Sequence, residues 1–240
     1  MLKRFAVTFL MCGMMFAPVI AADCQESIIT TDATINREIA PDTAKITFMV
    51  ENSGLNLAAI KEKNDKIVND AMAAIKAQLA TNESIKTIAF NVRNIYSYKD
   101  KVRVFQKYAV SNGFEVKLKD LDKVSNIINL AMGNGVKNIE GVNFYIEDSE
   151  SVCNNMMAEA IKMGKNRIQH LSNAAGTSLD KAKSINPYCS LNSSNTRSHV
   201  NKVYANAMVD SVAADAPAME TFEPGKINVR ASVNMVYYLK

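Results

Sequence analysis

Cysteine is the residue type in this chain with the clearest chemical potential. Besides Cys12, which lies in an apolar N-terminal run, the chain has Cys24, Cys153 and Cys189. Cys153 falls on the apolar stripe of a predicted helix that ends about 35 Å further on, at Gly176. Cys189 falls on the apolar face of the next predicted strand, about 30 Å after Asp180, so an antiparallel helix–strand pair would bring the two thiols side by side. They either form a disulfide, which would close a loop of about 36 residues, or remain two buried free thiols.

Neither histidine has the neighbours that metal binding or catalysis requires. His170 lies on the predicted helix with Asn166 four residues before it and Ala174 four residues after it, so no second ligand stands at metal-binding spacing. Ser198 and His199 could belong to a hydrolytic triad, but adjacent residues in an aperiodic segment are not rigidly oriented. The sequence therefore predicts no catalytic residue, no cofactor and no metal site.

Sulfur-containing side chains leave one chemical alternative open. Met156, Met157 and Met163 fall on the same predicted helix and could form a soft-metal or oxidant-scavenging face, although methionine at such positions more often fills a core. Cys24 is the odd thiol, which could pair between molecules or lie unpaired in a tail. A redox-active or oxidant-scavenging protein that uses Cys or Met is therefore the alternative hypothesis.

The first 22 residues have the three parts of a secretory signal peptide. Lys3 and Arg4 are followed by a mainly apolar run from Phe5 to Phe16 and by small residues up to Ala22. The run is shorter than the ~20 apolar residues that span a bilayer, which argues against a membrane anchor. We therefore predict a cleaved signal peptide over residues 1–22, and a mature chain that is exported and has no transmembrane segment.

The mature chain is close to electrical neutrality. The whole chain has a formal net charge of +4, and without Lys3 and Arg4 it keeps 26 basic and 24 acidic residues. With 48% apolar and 22% charged residues, it can fill a core and stay soluble. The overall charge therefore gives no indication of nucleic acid or anionic lipid as a partner.

The hydrophobic pattern alternates between strand and helix periods. Period-two stretches predict strands, and apolar side chains three or four residues apart predict helices. The predicted strands are 27–39, 46–50, 85–98, 108–118, 142–146, 182–191 and 227–239, and the predicted helices are 55–80, 121–131 and 149–176. Ile88, Phe90 and Val92 are predicted to share one face of the third strand. The helix residues predicted to point inward are Ile60, Ile67, Val68, Ala71, Ile75 and Leu79 of the first helix, Leu121, Val124, Ile127, Ile128 and Ala131 of the second, and Cys153, Met157, Ala160, Ile161, Gly164, Ile168, Leu171 and Ala175 of the third.

Turn residues between these elements indicate how the strands connect. Ala40-Pro41-Asp42 predicts a hairpin that joins the first two strands, and residues 99–101 predict a turn between the third and fourth. Residues 192–223 have no sustained period and are predicted to be a long mobile loop. We therefore expect one domain over residues 23–240, with an α+β fold in which helices pack on one face of an antiparallel sheet.

Several short motifs are spread over residues 28–240. They are Ala40–Ala44 before a strand, Ala58 and Asn64 on a helix, Gly141–Phe144 entering a strand, Ala174–Leu179 after a helix, and Ala213–Pro217 and Glu223–Gly225 before the last strand. In this order and spacing, the chain resembles the SIMPL-domain family of bacterial proteins. The resemblance implies a SIMPL-like fold, a periplasmic location and a non-enzymatic role, linked in some members to oxidative-stress tolerance and in one to ring-like self-assembly. It implies no catalytic residue.

These observations favour a non-catalytic periplasmic protein that acts through its surface. The hypothesis is self-assembly into a homo-oligomer or binding of envelope components such as proteins, because the pattern of an intact core comes without a catalytic grouping. The competing hypothesis is the redox-active or oxidant-scavenging protein described above.

Overall fold

A computed structural model describes residues 26–192 and 223–240, in which the chain forms seven strands and three helices. The strands are β1 (Ile28–Ile39), β2 (Thr43–Gly54), β3 (Ser84–Lys99), β4 (Val102–Leu118), β5 (Asn138–Tyr145), β6 (Leu179–Asn192) and β7 (Ile227–Leu239). The helices are α1 (Leu57–Lys76), α2 (Val124–Gly133) and α3 (Ser149–Ala174), and a 3-10 turn at Leu121–Lys123 precedes α2. The predicted signal peptide, Cys24, Ser198, His199 and all but the ends of the predicted 192–223 loop lie outside the described residues.

The strands form two antiparallel sheets. One has the strand order β1–β7–β6 and the other has the order β3–β4–β2–β5. Helices α1 and α2 share a core with the four-stranded sheet, and α3 packs on the three-stranded sheet. The predicted α+β class, with antiparallel strands and packed helices, is confirmed, and the helices divide between two sheets.

The predicted hairpin between β1 and β2 is wrong. β1 pairs instead with β7 along its full length, from Ile28 opposite Tyr238 to Ile39 opposite Ile227. The residues of β7 alternate between the buried face and the outer face without interruption, so β7 offers β1 a long regular partner. β2 pairs with β4 and β5, and the chain therefore passes from one sheet to the other between Ile39 and Thr43.

The four-stranded sheet, α1 and α2 enclose the larger core. The apolar stripe predicted for α1 faces inward at Ile60, Val68, Ala71 and Ile75, and Asn64 is buried on the same stripe. The buried residues of α2 are those predicted to point inward: Val124, Ile127, Ile128 and Ala131. The helical period therefore identified both buried faces.

Helix α3 covers the three-stranded sheet. Its buried residues are Met156, Ala160, Gly164, Ile168 and Ser172. Leu171 and Ala175, which the sequence placed on the inward stripe, are exposed. The difference arises because the buried positions are spaced four residues apart along one ridge of the helix, which leaves the positions beside this ridge near solvent.

Two connecting segments link the two halves of the fold, and they contact each other at Asp42. The β1–β2 connection contains Asp42, and the β5–α3 connection contains Glu147. Asp42 accepts hydrogen bonds from the backbone N–H of Glu147 (2.9 Å) and from the Thr43 hydroxyl (2.7 Å). Glu147 also pairs with Lys117 at the end of β4 and with Lys119 just after it. Burial raises the pKa of Asp42, but the hydrogen bonds from Thr43 and Glu147 and the nearby Lys119 outweigh burial and leave the pKa below its ordinary value.

Candidate interaction surface

Cys153 and Cys189 are neighbours in the structure. Cys153 is in the second turn of α3 and Cys189 is near the end of β6, and the two are joined as a disulfide with their Cα atoms 5.7 Å apart. Both side chains are half-buried and pack beside Val152, Met157 and Leu191. Formation of this bond in the cell stays a prediction.

The other side chains with chemical potential do not converge. His170 is exposed on α3, Met156 is buried, and Met157 and Met163 pack partly buried against the cores. Over residues 26–192 and 223–240, no three or more His, Cys, Asp or Glu side chains group together as metal ligands. No helix in these ranges combines the length and the apolar composition needed to cross a membrane.

Strands β3 and β4 extend past the rest of their sheet as a two-stranded arm. β2 pairs with β4 only as far as Tyr108, which lies opposite Gly54. β3 and β4 continue to pair with each other up to Lys99 opposite Val102. We call residues 95–107 the β3–β4 arm.

The arm turns at Asp100 and Lys101, where the sequence predicted a turn. Both residues have positive φ angles, of 50° and 66°. This combination defines a two-residue type I′ turn, whose twist matches that of hairpin strands. The predicted hairpin of β3 and β4 is therefore confirmed.

Exposed apolar side chains are concentrated on this hairpin. Seven of the thirteen large apolar side chains that are exposed in the described ranges lie on β3 or β4, which makes the hairpin the main apolar surface of those ranges. They are Ile88, Phe90, Val92, Tyr98, Val102, Val104 and Phe105. β3 is also the outermost strand of its sheet, so one side of its backbone pairs with no other strand described here.

Phe90 and Val92 form an exposed apolar pair that we call the edge face. They lie opposite Asn112 and Val110, on the side of the sheet that faces α1. Because α1 packs mainly over β2 and β4, Phe90 remains 53% exposed and Val92 41% exposed. The edge face is thus continuous with the core but is not covered by it.

Ile88 leaves the face that the sequence predicted it to share with Phe90 and Val92. The register shifts between Thr87 and Ala89, so Ile88 is the extra residue of a β-bulge. Its Cγ1 atom lies 3.4 Å from the position that a Cβ would take on Gly113, on the opposite side of the sheet. The strict period of two does not apply across a bulge, which explains the wrong assignment.

Aromatic contacts hold the arm in shape. The rings of Tyr96 and Phe105 meet edge to face at 5.9 Å, and those of Phe105 and Tyr108 lie 4.8 Å apart. The Arg103 guanidinium stacks 3.6 Å from the centre of the Tyr96 ring. These contacts link both strands of the arm and supply packing that an isolated two-stranded hairpin lacks.

The end of the arm is positively charged. Lys99, Lys101 and Arg103 lie at or beside the turn, Lys107 lies at the base of the arm, and Asp100 is the one acid in residues 99–107. None of these four basic side chains forms an ion pair with another residue in the described parts of the chain. Their charge is therefore available to a partner.

The sequence predicted the hairpin but not its exposure. Alternation of apolar residues is the usual signal of a half-buried strand, and it gave no sign that β2 would end before the arm. The clustered basic residues were a readable signal, but the near-neutral overall charge concealed them.

Comparison with known proteins places the chain in a family. The family model described as SIMPL, protein of unknown function (DUF541), matches residues 29–237. The chain belongs to the SIMPL family. The match spans β1 to β7, so the SIMPL resemblance predicted from the short motifs is confirmed.

Relatives of this SIMPL protein match it over most of their length. Uncharacterized protein YggE of Escherichia coli (strain K12) is 23% identical over 215 residues, which cover 88% of this chain and 83% of YggE. YggE of Edwardsiella ictaluri is 24% identical over 175 residues, covering 72% and 73%. The 26 kDa periplasmic immunogenic protein of Brucella melitensis is 21% identical over 207 residues, covering 84% and 80%. None of these names specifies a reaction.

Proposed function

We propose that this SIMPL protein is an exported, non-catalytic protein of the bacterial envelope that works through self-association. The predicted signal peptide at residues 1–22 supports export. The relative from Brucella melitensis that is named periplasmic supports the periplasm as the compartment. The contact between copies is made by the edge of β3.

The exposed edge face carries this proposal. Phe90 and Val92 leave apolar surface in water next to the unpaired backbone edge of β3. Burial of such surface stabilises an interface by about 25 cal/mol per Å². A second copy that pairs along β3 would bury these side chains and continue the sheet across the contact.

The redox hypothesis has less support from the described residues. Met156 is buried, and Met157 and Met163 pack against the cores, so these sulfur atoms serve packing. The Cα atoms of Cys153 and Cys189 lie 5.7 Å apart, and a bond between the two would leave neither thiol free to react with a substrate. A contribution to oxidative-stress tolerance is therefore proposed to be indirect, through contacts in the envelope.

Light scattering coupled to size-exclusion chromatography tests self-association. The leader-free protein is expected to form oligomers whose mass rises with concentration. Phe90→Lys places a charge on the edge face, and we expect it to weaken association at least tenfold, or about 1.4 kcal/mol.

Tyr188→Lys is the matched control, because Tyr188 is 65% exposed on β6, an outer strand of the other sheet. It should associate like the unmodified protein. A monomer at every concentration, or equal effects of the two substitutions, would contradict the proposal.

A further inference from the structure

The tip of the arm, residues 98–103, combines exposed apolar side chains with unpaired positive charge. Tyr98 is 75% exposed and Val102 is 63% exposed, more than any other large apolar side chain of β3 and β4. Tyr98 lies opposite Arg103, and Val102 lies opposite Lys99, so each apolar residue stands beside a cation. Aromatic residues next to lysine or arginine are typical of surfaces that enter the interfacial layer of a membrane.

We propose that the tip of the β3–β4 arm docks on an anionic lipid surface. Tyr98 and Val102 enter the headgroup region, and Lys99, Lys101 and Arg103 bind lipid phosphates. This contact goes beyond self-association and uses other residues than the edge face.

The shape of the arm suits a flat partner. From Lys107 to Val102, β4 continues for six residues past its last pairing with β2, a reach of about 20 Å. The tip is convex and ends in the tight turn at Asp100 and Lys101. A convex tip with apolar side chains can enter a membrane surface without a complementary groove in the partner.

The charge of the tip also favours anionic lipid. Residues 98–103 carry three basic groups and one acid, whereas the mature chain of more than 200 residues has only two more basic than acidic residues. Each basic residue close to an anionic bilayer strengthens binding about fivefold. The net charge sums over the whole chain and therefore gave no indication of a lipid partner. Binding to an anionic surface depends instead on the electric field of the charges at the tip.

The two glutamates in the middle of the four-stranded sheet are poor partners for these cations. On its outer side, Glu51 pairs with Arg93, and Glu115 pairs with Lys45 and Lys86. These two carboxylates are therefore already neutralised within one molecule. An anionic bilayer instead offers a continuous array of unpaired phosphates.

Vesicle flotation tests the proposal with the leader-free protein. We expect binding to vesicles of phosphatidylglycerol and phosphatidylcholine, and at least tenfold weaker binding to phosphatidylcholine alone. Lys99→Glu with Lys101→Glu should lower the affinity for the anionic vesicles at least tenfold.

Lys162→Glu with Lys165→Glu is the charge-matched control, because both lysines are exposed on α3 and form no ion pair with a described residue. Its affinity should stay within twofold of the unmodified protein. Circular dichroism melting curves verify that both double variants are folded. Equal losses in the two double variants would overturn the proposal.

Fluorescence gives a second readout, because the chain contains no tryptophan. Tyr98→Trp should show a blue-shifted emission on the anionic vesicles, while Tyr188→Trp on β6 should not. Absence of a shift in Tyr98→Trp would overturn insertion of the tip. If Lys99→Glu with Lys101→Glu instead lowers the oligomer mass and leaves vesicle binding unchanged, the tip binds another copy and the proposal is wrong.

Discussion

Glu83 accepts hydrogen bonds from three backbone N–H groups and one lysine. The backbone donors are Ala80 (2.9 Å), Lys119 (3.0 Å) and Asp120 (3.1 Å), and the Lys123 ammonium lies at 3.2 Å. The carboxylate therefore ties the loop after α1 to the connection between β4 and α2. Burial raises the pKa of Glu83, but the backbone hydrogen bonds and Lys123 outweigh burial and leave the pKa below its ordinary value.

Glu83→Gln should lower the free energy of unfolding by about 1–3 kcal/mol at pH 7, because an amide cannot accept all four hydrogen bonds. A folded-state pKa below the unfolded value means that the carboxylate stabilises the fold above pH about 4.3. This contribution disappears as the pH falls through the folded-state pKa, so the variant and the unmodified protein should converge in acid. Urea denaturation at pH 7 and in acid measures both.

Glu62→Gln is the control, since Glu62 is exposed on α1. It should change the free energy of unfolding by less than about 0.5 kcal/mol at either pH. If the two glutamine variants behave alike, Glu83 has no special structural role.

Neither Glu83 nor Asn64 could be identified as buried from the sequence. Asn64 is fully buried on α1, where its amide donates to the Val50 carbonyl (2.9 Å) and to Asn52 Oδ1 (3.0 Å). A polar residue in an apolar stripe looks like an interruption of the pattern until its partners are known. Those partners come from distant strands, which local periodicity does not reveal.

At the scale of elements, spacing was informative and pairing was not. The apolar stripes of α1 and α2 and the alternation of β7 follow from geometry within one element, so the sequence predicted them. The partner of β1 is β7, almost 200 residues away. Consecutive strands usually pair, so the sequence favoured β2 as the partner of β1, and no local pattern indicated β7 instead. The arm was predicted as a hairpin for the same local reason, while its exposure depends on where β2 stops.

Gly164, the one glycine of α3, lies in close contact with the three-stranded sheet. A Cβ added there would lie 2.7 Å from Met235 Sδ and 3.5 Å from Ala33 Cβ. Met235 is fully buried and has little room to move. Gly164→Ala is therefore expected to destabilise the protein by about 1–3 kcal/mol in urea denaturation, in spite of the higher helix propensity of alanine.

Gly133→Ala provides the comparison, because a Cβ at Gly133, the last residue of α2, meets no atom within 4 Å. It should be neutral or stabilise by up to about 1 kcal/mol. Stability of Gly164→Ala equal to or above that of the unmodified protein would refute the proposed close packing.

At the scale of the whole molecule, the pair Cys153 and Cys189 would connect α3 to the outer strand β6. In an oxidising compartment, we predict that peptide mapping without reductant recovers the two cysteines in one cross-linked peptide. Closure of a loop of about 36 residues should contribute about 4 kcal/mol. Reduction should therefore lower the midpoint of urea denaturation.

The double variant Cys153→Ala with Cys189→Ala serves as the control for reduction. It should start at the lower stability and show no further response to reductant. Recovery of both thiols in the free form from protein purified under native conditions would exclude the bond.

The side chain of Asp42 and the backbone of Glu147 also have a consequence for the evolution of the chain. The segment between them forms the four-stranded half of the fold, which consists of β2, α1, β3, β4, α2 and β5. Since Asp42 and Glu147 are joined by a hydrogen bond, this segment leaves the three-stranded half and returns to it at the same place. An inserted module of this kind can be exchanged, enlarged or circularly permuted without separating β1 from β7. Changes of this kind would leave the packing of α3 on β1, β6 and β7 intact.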